Sequence, residues 1–191
     1  MRPHLVLLAS LLLLGACASA QRPAPSASRA AAADVARYVP LAVGNRWTYQ
    51  ARLGGRVERN VVRIEERRGG FFRDNQNGAL AFDGEGVRDE NRYLILGPVV
   101  RGQTWESLLE GGVRERYEIV DTAATVRVPA GSFEQVLVVR ATTPADPQRS
   151  LEVEWAWAPD VGLVRMSSAV VGKDGQRIPQ AELELLSFEL H

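Results

Sequence analysis

Hydrophobic and polar residues alternate with a period of two, rather than 3.6, along most of the chain after residue 38. Residues 47–53 read WTYQARL and residues 151–157 read LEVEWAW. This alternation is typical of a strand with one buried face and one solvent-facing side. Two runs are richer in apolar residues, RYLILG at 92–97 and FEQVLVVRA at 133–141, and they predict strands in central positions of a sheet.

Turn signals separate the apolar runs at short intervals. Paired glycines at 54–55, 69–70 and 111–112, together with Asn77-Gly78 and GKDG at 172–175, supply the positive φ that tight hairpin turns need. The predicted strands are 46–53, 56–66, 71–75, 79–82, 92–97, 104–110, 113–121, 124–128, 133–142, 151–158, 162–171 and 176–190, the last one bulged. The pattern predicts an all-β fold, an antiparallel meander curled into a barrel, half-barrel or sandwich in a single domain.

One motif occurs twice, as PLAVGNRW at 40–47 and as PVVRGQTW at 98–105. Both copies read Pro-x3-Gly-x2-Trp, and each is followed by a short strand and then by GGRVER or GGVRER. Proline fits just before a strand because it lacks a ladder donor, and glycine permits a sharp bend. We therefore interpret each copy as a corner that feeds a hairpin.

This interpretation makes a structural prediction. Trp47 and Trp105 should both be buried near strand starts, in comparable places of a fold made from two similar halves. The alternative is that the two copies contact a ligand.

The N-terminus contains an apolar run, residues 5–14, which is too short to span a bilayer but has the length of a signal-peptide core. It ends in Leu14-Gly15-Ala16-Cys17, which resembles the lipobox of bacterial lipoproteins, where the cysteine is diacylated and becomes the first mature residue. Cys17 is the only cysteine in the chain, so it cannot form an internal disulfide. We expect a lipoprotein signal peptide at 1–16 and lipidation of Cys17.

A competing interpretation exists for the same region. Ala18-Ser19-Ala20 is an A-x-A site, and ordinary cleavage after it would release a soluble protein. Residues 17–37 contain the lipidated cysteine and an Ala/Pro/Ser-rich segment that we expect to be a flexible tether. A short helix over 30–37, packed against the domain, is the alternative. The antiparallel β domain is expected to occupy residues 38–191.

Charge and composition indicate the origin and location of the protein, but they do not indicate its function. The chain has 23 basic and 23 acidic residues, so no strong field indicates nucleic acid as a partner. Basic residues are 22 arginines and the single Lys173, which is typical of a GC-rich genome. Together with the lipobox, this suggests a Gram-negative bacterium, and Ala18 after the cysteine favours transfer to the outer membrane. The acyl chains would be the membrane anchor.

Three stretches carry a resemblance to a known group of proteins. YVPLAVGNRWTY, VPAGSFEQVLVV and WAPDVGLVR resemble the turn motifs of poorly characterised bacterial exported lipoproteins with β-sheet domains, which are common in Gram-negative soil bacteria such as myxobacteria. The resemblance covers residues 38–166 and implies a fold and an envelope location. It implies no activity, because these proteins have no agreed catalytic residues to carry over. Asp160 stands where such sequences often have glycine.

The residue inventory argues against most catalytic chemistry. The two histidines are His4, within the expected signal peptide, and His191, the last residue. A Ser-His-Asp or Cys-His arrangement therefore has no interior histidine or free thiol, and a zinc site of the usual kind has no ligands. We expect a protein that is not an enzyme and has no cofactor and no metal. Paired carboxylates, as in a glycosidase, are the remaining alternative.

Acidic residues gather in FDGEGVRDEN at 82–91, where Asp83, Glu85, Asp89 and Glu90 surround two glycines. Oxygen ligands in such a loop suit calcium, but the spacing does not match an EF-hand. We favour a polar hairpin loop.

The tryptophans are the candidate ligand-binding residues: Trp155 and Trp157, with Trp47 and Trp105. Trp155 and Trp157 project from one strand face, either into a packed core or into an apolar groove. We expect a lipid-anchored envelope protein with a β domain for binding or structural roles. Its expected partners are the membrane, through the acyl chains, and an envelope protein or a hydrophobic ligand. The alternative is a carrier of a lipid or other hydrophobic ligand in a curved β-sheet groove.

Overall fold

The structure, a computed structural model, describes residues 34–191. Its strands form one antiparallel sheet that curls into a nearly closed barrel within a single domain, which confirms the predicted fold class. In chain order the strands are β1 (Arg46–Leu53), β2 (Arg56–Arg68), β3 (Phe71–Asp74), β4 (Ala79–Phe82), β5 (Gly86–Arg88), β6 (Tyr93–Leu96), β7 (Thr104–Leu108), β8 (Arg114–Val128), β9 (Gly131–Asp146), β10 (Arg149–Ala158), β11 (Gly162–Gly172) and β12 (Arg177–Glu189). A 3₁₀ turn, Glu110–Gly112, separates β7 from β8.

The sheet consists of two six-stranded meanders that meet in the middle. Its order is β6-β5-β4-β3-β2-β1-β12-β11-β10-β9-β8-β7, so β1 pairs with β12, the last strand of the chain. Each meander begins with a strand that carries a motif tryptophan, Trp47 on β1 and Trp105 on β7. The edge strands β6 and β7 are consecutive in the chain, so the short link at 97–103 brings the two edges of the sheet together.

The N-terminal segment 34–41 packs into the barrel interior. Residues 34–36 form a helical turn, and Val35, Tyr38 and Val39 are buried in a cluster with residues of β5 to β10. The amide of Asp160 donates to the Arg37 carbonyl at 2.7 Å, which ties the segment to the β10–β11 turn. Val35 is completely buried, so packed residues begin inside the stretch that we expected to be a tether, ahead of the expected boundary at residue 38.

The β8–β9 hairpin folds back onto β12. Three register irregularities interrupt its ladder, and Gln135 has a φ of 55°, so the hairpin bends sharply. At its tip the amide of Ala130 donates to the Leu185 carbonyl at 2.9 Å. As a result β9 is buried on both faces, with Leu137 and Val139 in the cluster around Val35 and with Val136 and Val138 in a second cluster.

Charged side chains cover the opposite face of the central strands. Arg52 contacts Glu182 at 2.9 Å and Glu184 at 2.7 Å. Two further pairs lie on the β10 side, Arg177–Glu152 at 2.6 Å and Arg140–Glu154 at 3.1 Å. Such partly exposed pairs each stabilise a fold by about 0–1 kcal/mol, so their main effect is to mark this face as the solvent side.

Several predicted strand limits and turns were wrong. The predicted strands 113–121 and 124–128 are one strand, β8, because Thr122 and Ala123 between them lie at a bulge and not in a turn. β5 lies inside the stretch 82–91, where we predicted a loop, and its three residues pair with both neighbours. The glycines 111–112 lie in the β7–β8 hairpin with the expected positive φ, 80° and 78°, but the turn is Glu110–Gly112 and not a two-residue turn. The predicted bulge in the last strand is present, at the register shifts with β1 and β11.

The run at 92–97 was predicted to be a central strand, and this was wrong for β6. β6 is an edge strand of the sheet, yet Ile95 is completely buried. Its burial comes from barrel curvature, which places Ile95 in one cluster with Trp105 from the opposite edge. The prediction for 133–141 was right, since β9 lies between β8 and β10.

Candidate functional site: an apolar cavity inside the barrel

The two copies of the Pro-x3-Gly-x2-Trp motif have the same backbone hydrogen bonds. The amide of Asn45 donates to the Ala42 carbonyl at 3.2 Å, and in the second copy Gln103 donates to Val100 at 3.0 Å. The third turn residues, Gly44 and Gly102, have φ of 99° and 86°. A turn with positive φ at its third residue is type II, which favours glycine there.

The same equivalence extends to the next strand. Gly44 N–H donates to the Ile64 carbonyl at 2.9 Å, and Ile64 N–H donates to Asn45 at 3.0 Å. Gly102 and Gln103 make the matching pair with Ile119, at 2.8 and 2.9 Å. The motif therefore builds the same corner twice.

The tryptophans that end the motifs are both buried near strand starts. Trp47 is 7% exposed and is the second residue of β1, while Trp105 is 9% exposed and is the second residue of β7. Each indole donates to a backbone carbonyl, Trp47 to Val161 at 2.6 Å and Trp105 to Tyr93 at 3.0 Å. The structural prediction for the repeat is confirmed by these positions.

An apolar cavity of about 150 Å³ lies in the barrel under the N-terminal segment. Two of the four candidate tryptophans, Trp47 and Trp157, line it together. The other lining residues come from the N-terminal segment and from β1 to β4, β11 and β12, and they are Val39, Leu41, Tyr49, Val62, Ile64, Phe72, Asp74, Leu80, Gly162, Leu163 and Leu183. Asp74 is the single charged residue among these lining side chains.

Hydrogen bonds hold one wall of the cavity in place. Besides the Trp47 bond, the hydroxyl of Tyr49 donates to the Leu163 carbonyl at 3.0 Å. Burial raises the pKa of Tyr49, so the hydroxyl stays protonated and remains a donor. Gly162 packs so closely that a Cβ atom there would lie 3.2 Å from Trp47 Nε1. The indole and phenol rings therefore form a rigid surface.

Trp157 differs from Trp47 in one respect. Its side chain is 5% exposed, yet within residues 34–191 its indole nitrogen has no hydrogen-bond partner. A buried donor without a partner costs about 1–3 kcal/mol. Trp157 therefore contributes a large apolar ring to this wall, although its indole N–H has no acceptor among the described residues.

The other two candidate tryptophans belong to a separate aromatic stack. Tyr117 is completely buried between them, with its ring centroid 5.1 Å from that of Trp105 and 6.2 Å from that of Trp155. Trp105 and Trp155 are not among the residues that line the cavity. The structure thus divides the four tryptophans into two pairs, and the ligand-binding role of each stays a prediction.

A buried carboxylate lies beside this stack. Glu115 is 4% exposed and contacts Arg92 at 2.6 Å, while Thr143 donates to its other oxygen at 3.1 Å. The hydroxyl of Tyr117 also donates to Glu115, and burial together with this hydrogen bond raises the pKa of Tyr117. Each carboxylate oxygen has a donor, so the group serves to hold the arrangement together.

The acidic loop at 82–91 uses its carboxylates as local hydrogen-bond acceptors. Asp83 accepts from the Glu85 and Gly86 amides at 3.2 and 3.3 Å and from the Tyr93 hydroxyl at 2.8 Å. Partial burial acts against ionisation of Asp83, but these hydrogen bonds outweigh it and lower its pKa. The bond to Asp83, with burial, raises the pKa of Tyr93 to about 12. Among residues 34–191 no group of three or more metal-ligating side chains occurs.

Some site residues were missed by sequence reasoning. Phe72 and Leu80 line the cavity from short strands. Alternation does not decide which way the side chains of these strands point, because Phe71 and Phe72 are adjacent and both apolar. Glu115 offered a usable signal, since a period of two places it on the same face as Tyr117 and Ile119. A charged residue on an apolar strand face indicates a buried ion pair.

The membrane features of the sequence stay predictions. Cys17, the expected lipid acceptor, and the signal peptide lie outside the described residues. Within the part of the chain that the structure covers, helices of the length and hydrophobicity needed to span a bilayer are absent.

Comparisons with known proteins found similarity to solved structures at low sequence identity. No family model matches the chain, and no curated protein is significantly similar to it. Two crystal structures are similar. One is a candidate lipoprotein of Parabacteroides distasonis ATCC 8503, 13% identical, with a TM-score of 0.44. The other is a candidate exported protein with a YmcC-like fold from Bacteroides fragilis NCTC 9343, 14% identical, with a TM-score of 0.46. Each match covers 80% of this chain and 98% of the other.

Proposed function

We propose that this chain is a lipid-anchored, non-enzymatic protein of the bacterial envelope, in the outer membrane, whose barrel binds a hydrophobic molecule. The observation that carries the binding role is the cavity of about 150 Å³ with its almost entirely apolar wall. A cavity of this size with apolar walls can accept a small apolar molecule such as benzene. The anchoring role is supported by the lipobox at residues 14–17, and the non-enzymatic role by the lack of histidine and cysteine between residues 18 and 190.

Binding is tested with toluene as a probe of the cavity in the full mature chain carrying Cys17→Ser. Toluene should raise the melting temperature and perturb the NMR signals of Trp47 and Trp157. Val62→Phe, which fills the cavity from a half-buried wall position, should abolish both effects. Val57→Phe, at a position 61% exposed on the same strand, is the matched control and should bind like wild type. Failure of the wild-type domain to respond to toluene would contradict the binding role.

Anchoring is tested by cell fractionation. Wild-type protein should sediment with the outer membrane, and Cys17→Ser should move into the soluble fraction because its acyl chains are lost. Ser19→Ala, a nearby substitution that keeps the A-x-A pattern, is the control and should remain with the membrane. A wild-type protein found in the soluble fraction would show that the A-x-A interpretation is the correct one.

A further inference from the structure

We infer that the ligand is a single unbranched hydrocarbon chain, which inserts its methyl end into the cavity and lies along a row of half-buried apolar residues below it. This inference rests on the proposed binding function and narrows its ligand class. The row consists of Leu151, Val153, Trp155, Met166, Val170 and Leu183, and we call it the apolar strip.

The strand register makes the strip continuous with the cavity. Leu183 lines the cavity and pairs directly with Met166, which in turn pairs with Trp155. Trp155 shares a strand face with Trp157, a second cavity residue, since the two lie two positions apart on β10. Two and four residues further along, Val153 and Leu151 extend this face, and Leu151 pairs with Val170.

The strip differs from a packed core in its burial. Its six residues are all half-buried, whereas Val139, the neighbour of Trp155 on β9, is completely buried. Trp157 and Leu151 are six residue steps apart, which corresponds to roughly 20 Å of strand. An elongated molecule can contact the whole length of this face, whereas a compact molecule would contact only part of it.

Hydrogen bonding favours a hydrocarbon over a peptide as the occupant. β10, β11 and β12 each have a neighbouring strand on both sides, so their backbone groups are used in the sheet. A peptide that lay on this face would lose its own backbone hydrogen bonds to water and find no replacement, which is costly. A hydrocarbon chain has no such groups to satisfy.

Charge sets the direction of the chain. Asp74 lines the cavity, and its carboxylate accepts hydrogen bonds from the Gln76 and Gly78 amides at 2.8 Å each. An anionic carboxylate or phosphate head would be repelled there. The methyl end therefore enters the cavity, and the polar head lies toward the β9–β10 and β11–β12 turns.

The test compares chain lengths by calorimetry with the Cys17→Ser chain, using toluene, hexanoate and dodecanoate below its micellar concentration. Each buried methylene contributes about 0.8 kcal/mol, so dodecanoate should bind at least ~50-fold more tightly than hexanoate even if only half of the six added methylenes are buried. Met166→Gln should weaken dodecanoate binding about tenfold and leave toluene binding unchanged, which also shows that the variant is folded. Ser167→Gln, one residue away on the opposite strand face, is the matched control and should change neither.

The outcomes separate the two proposals. Toluene binding with equal affinity for hexanoate and dodecanoate overturns the chain inference and leaves the cavity function in place. Dodecanoate binding that Met166→Gln does not affect places the chain elsewhere and also overturns the inference. If no probe binds, the proposed function itself fails. A dodecanoyl lysophospholipid tested in parallel identifies the source of the hydrocarbon chain. Preference for this lipid indicates membrane lipid, and preference for dodecanoate indicates free fatty acid. Either result supports the inference that the ligand is a hydrocarbon chain.

Discussion

Among the individual side chains, the tryptophans differ mainly in what their indole N–H groups do. Trp47 and Trp157 line the same cavity and are similarly buried, but only Trp47 donates to a carbonyl, that of Val161. Replacing either by phenylalanine removes a similar apolar area. The two substitutions differ in that one leaves a buried carbonyl without its donor and the other removes an unpaired donor.

This difference gives a matched pair of predictions. Trp47→Phe should lower the free energy of unfolding by about 1–3 kcal/mol more than Trp157→Phe does, because it breaks a buried hydrogen bond. Urea denaturation of both variants measures the difference. Equal losses would show that the Trp47–Val161 bond contributes little to stability.

The repeated corner is a feature of strand and turn together. Gly44 and Gly102 occupy the third position of equivalent type II turns, each with positive φ. An L-residue in this left-handed region costs roughly 1–2 kcal/mol. The environments differ slightly, since a Cβ atom on Gly44 would lie 3.1 Å from the His191 ring and one on Gly102 would meet nothing within 4 Å.

We therefore expect Gly44→Ala and Gly102→Ala each to lower the free energy of unfolding by roughly 1–2 kcal/mol, with a slightly larger loss for Gly44→Ala. Val43→Ala and Arg101→Ala, at the exposed second turn positions, are the controls and should change it by less than about 0.5 kcal/mol. Thermal and urea denaturation measure all four variants. A loss for one glycine and none for the other would show that the two turns are not energetically equivalent.

The domain is held closed by side chains and not by a continuous ladder. β6 and β7 form the two edges of the sheet, and Trp105 on β7 reaches the Tyr93 carbonyl on β6. Arg92, just before β6, reaches past β7 to the buried Glu115 on β8. The ion pair is oriented by its further hydrogen bonds, which offset part of the cost of burying its charges. The barrel interior is thus enclosed across the seam without strand pairing.

Local patterns accounted for most strands and turns and for the burial of the motif tryptophans. A period of two shows which residues share a face, and Gly44 and Gly102 show where the chain turns, because both properties depend only on neighbouring residues. The same reasoning placed Trp155 and Trp157 on one face. It had no means of separating a filled interior from a hollow one, since that depends on which distant strands face each other.

Three features depended on tertiary structure. Val35 is buried because the N-terminal segment enters the barrel, although its sequence neighbours are those of a polar, small-residue linker. Ile95 is buried although β6 is an edge strand, because the sheet curls until its edges meet. The cavity brings Trp47 and Trp157 together with Phe72, from three strands that are far apart in the chain. The alternation of apolar and polar residues indicates which face of its own strand a residue lies on. The curvature of the sheet decides which distant strand lies opposite that face.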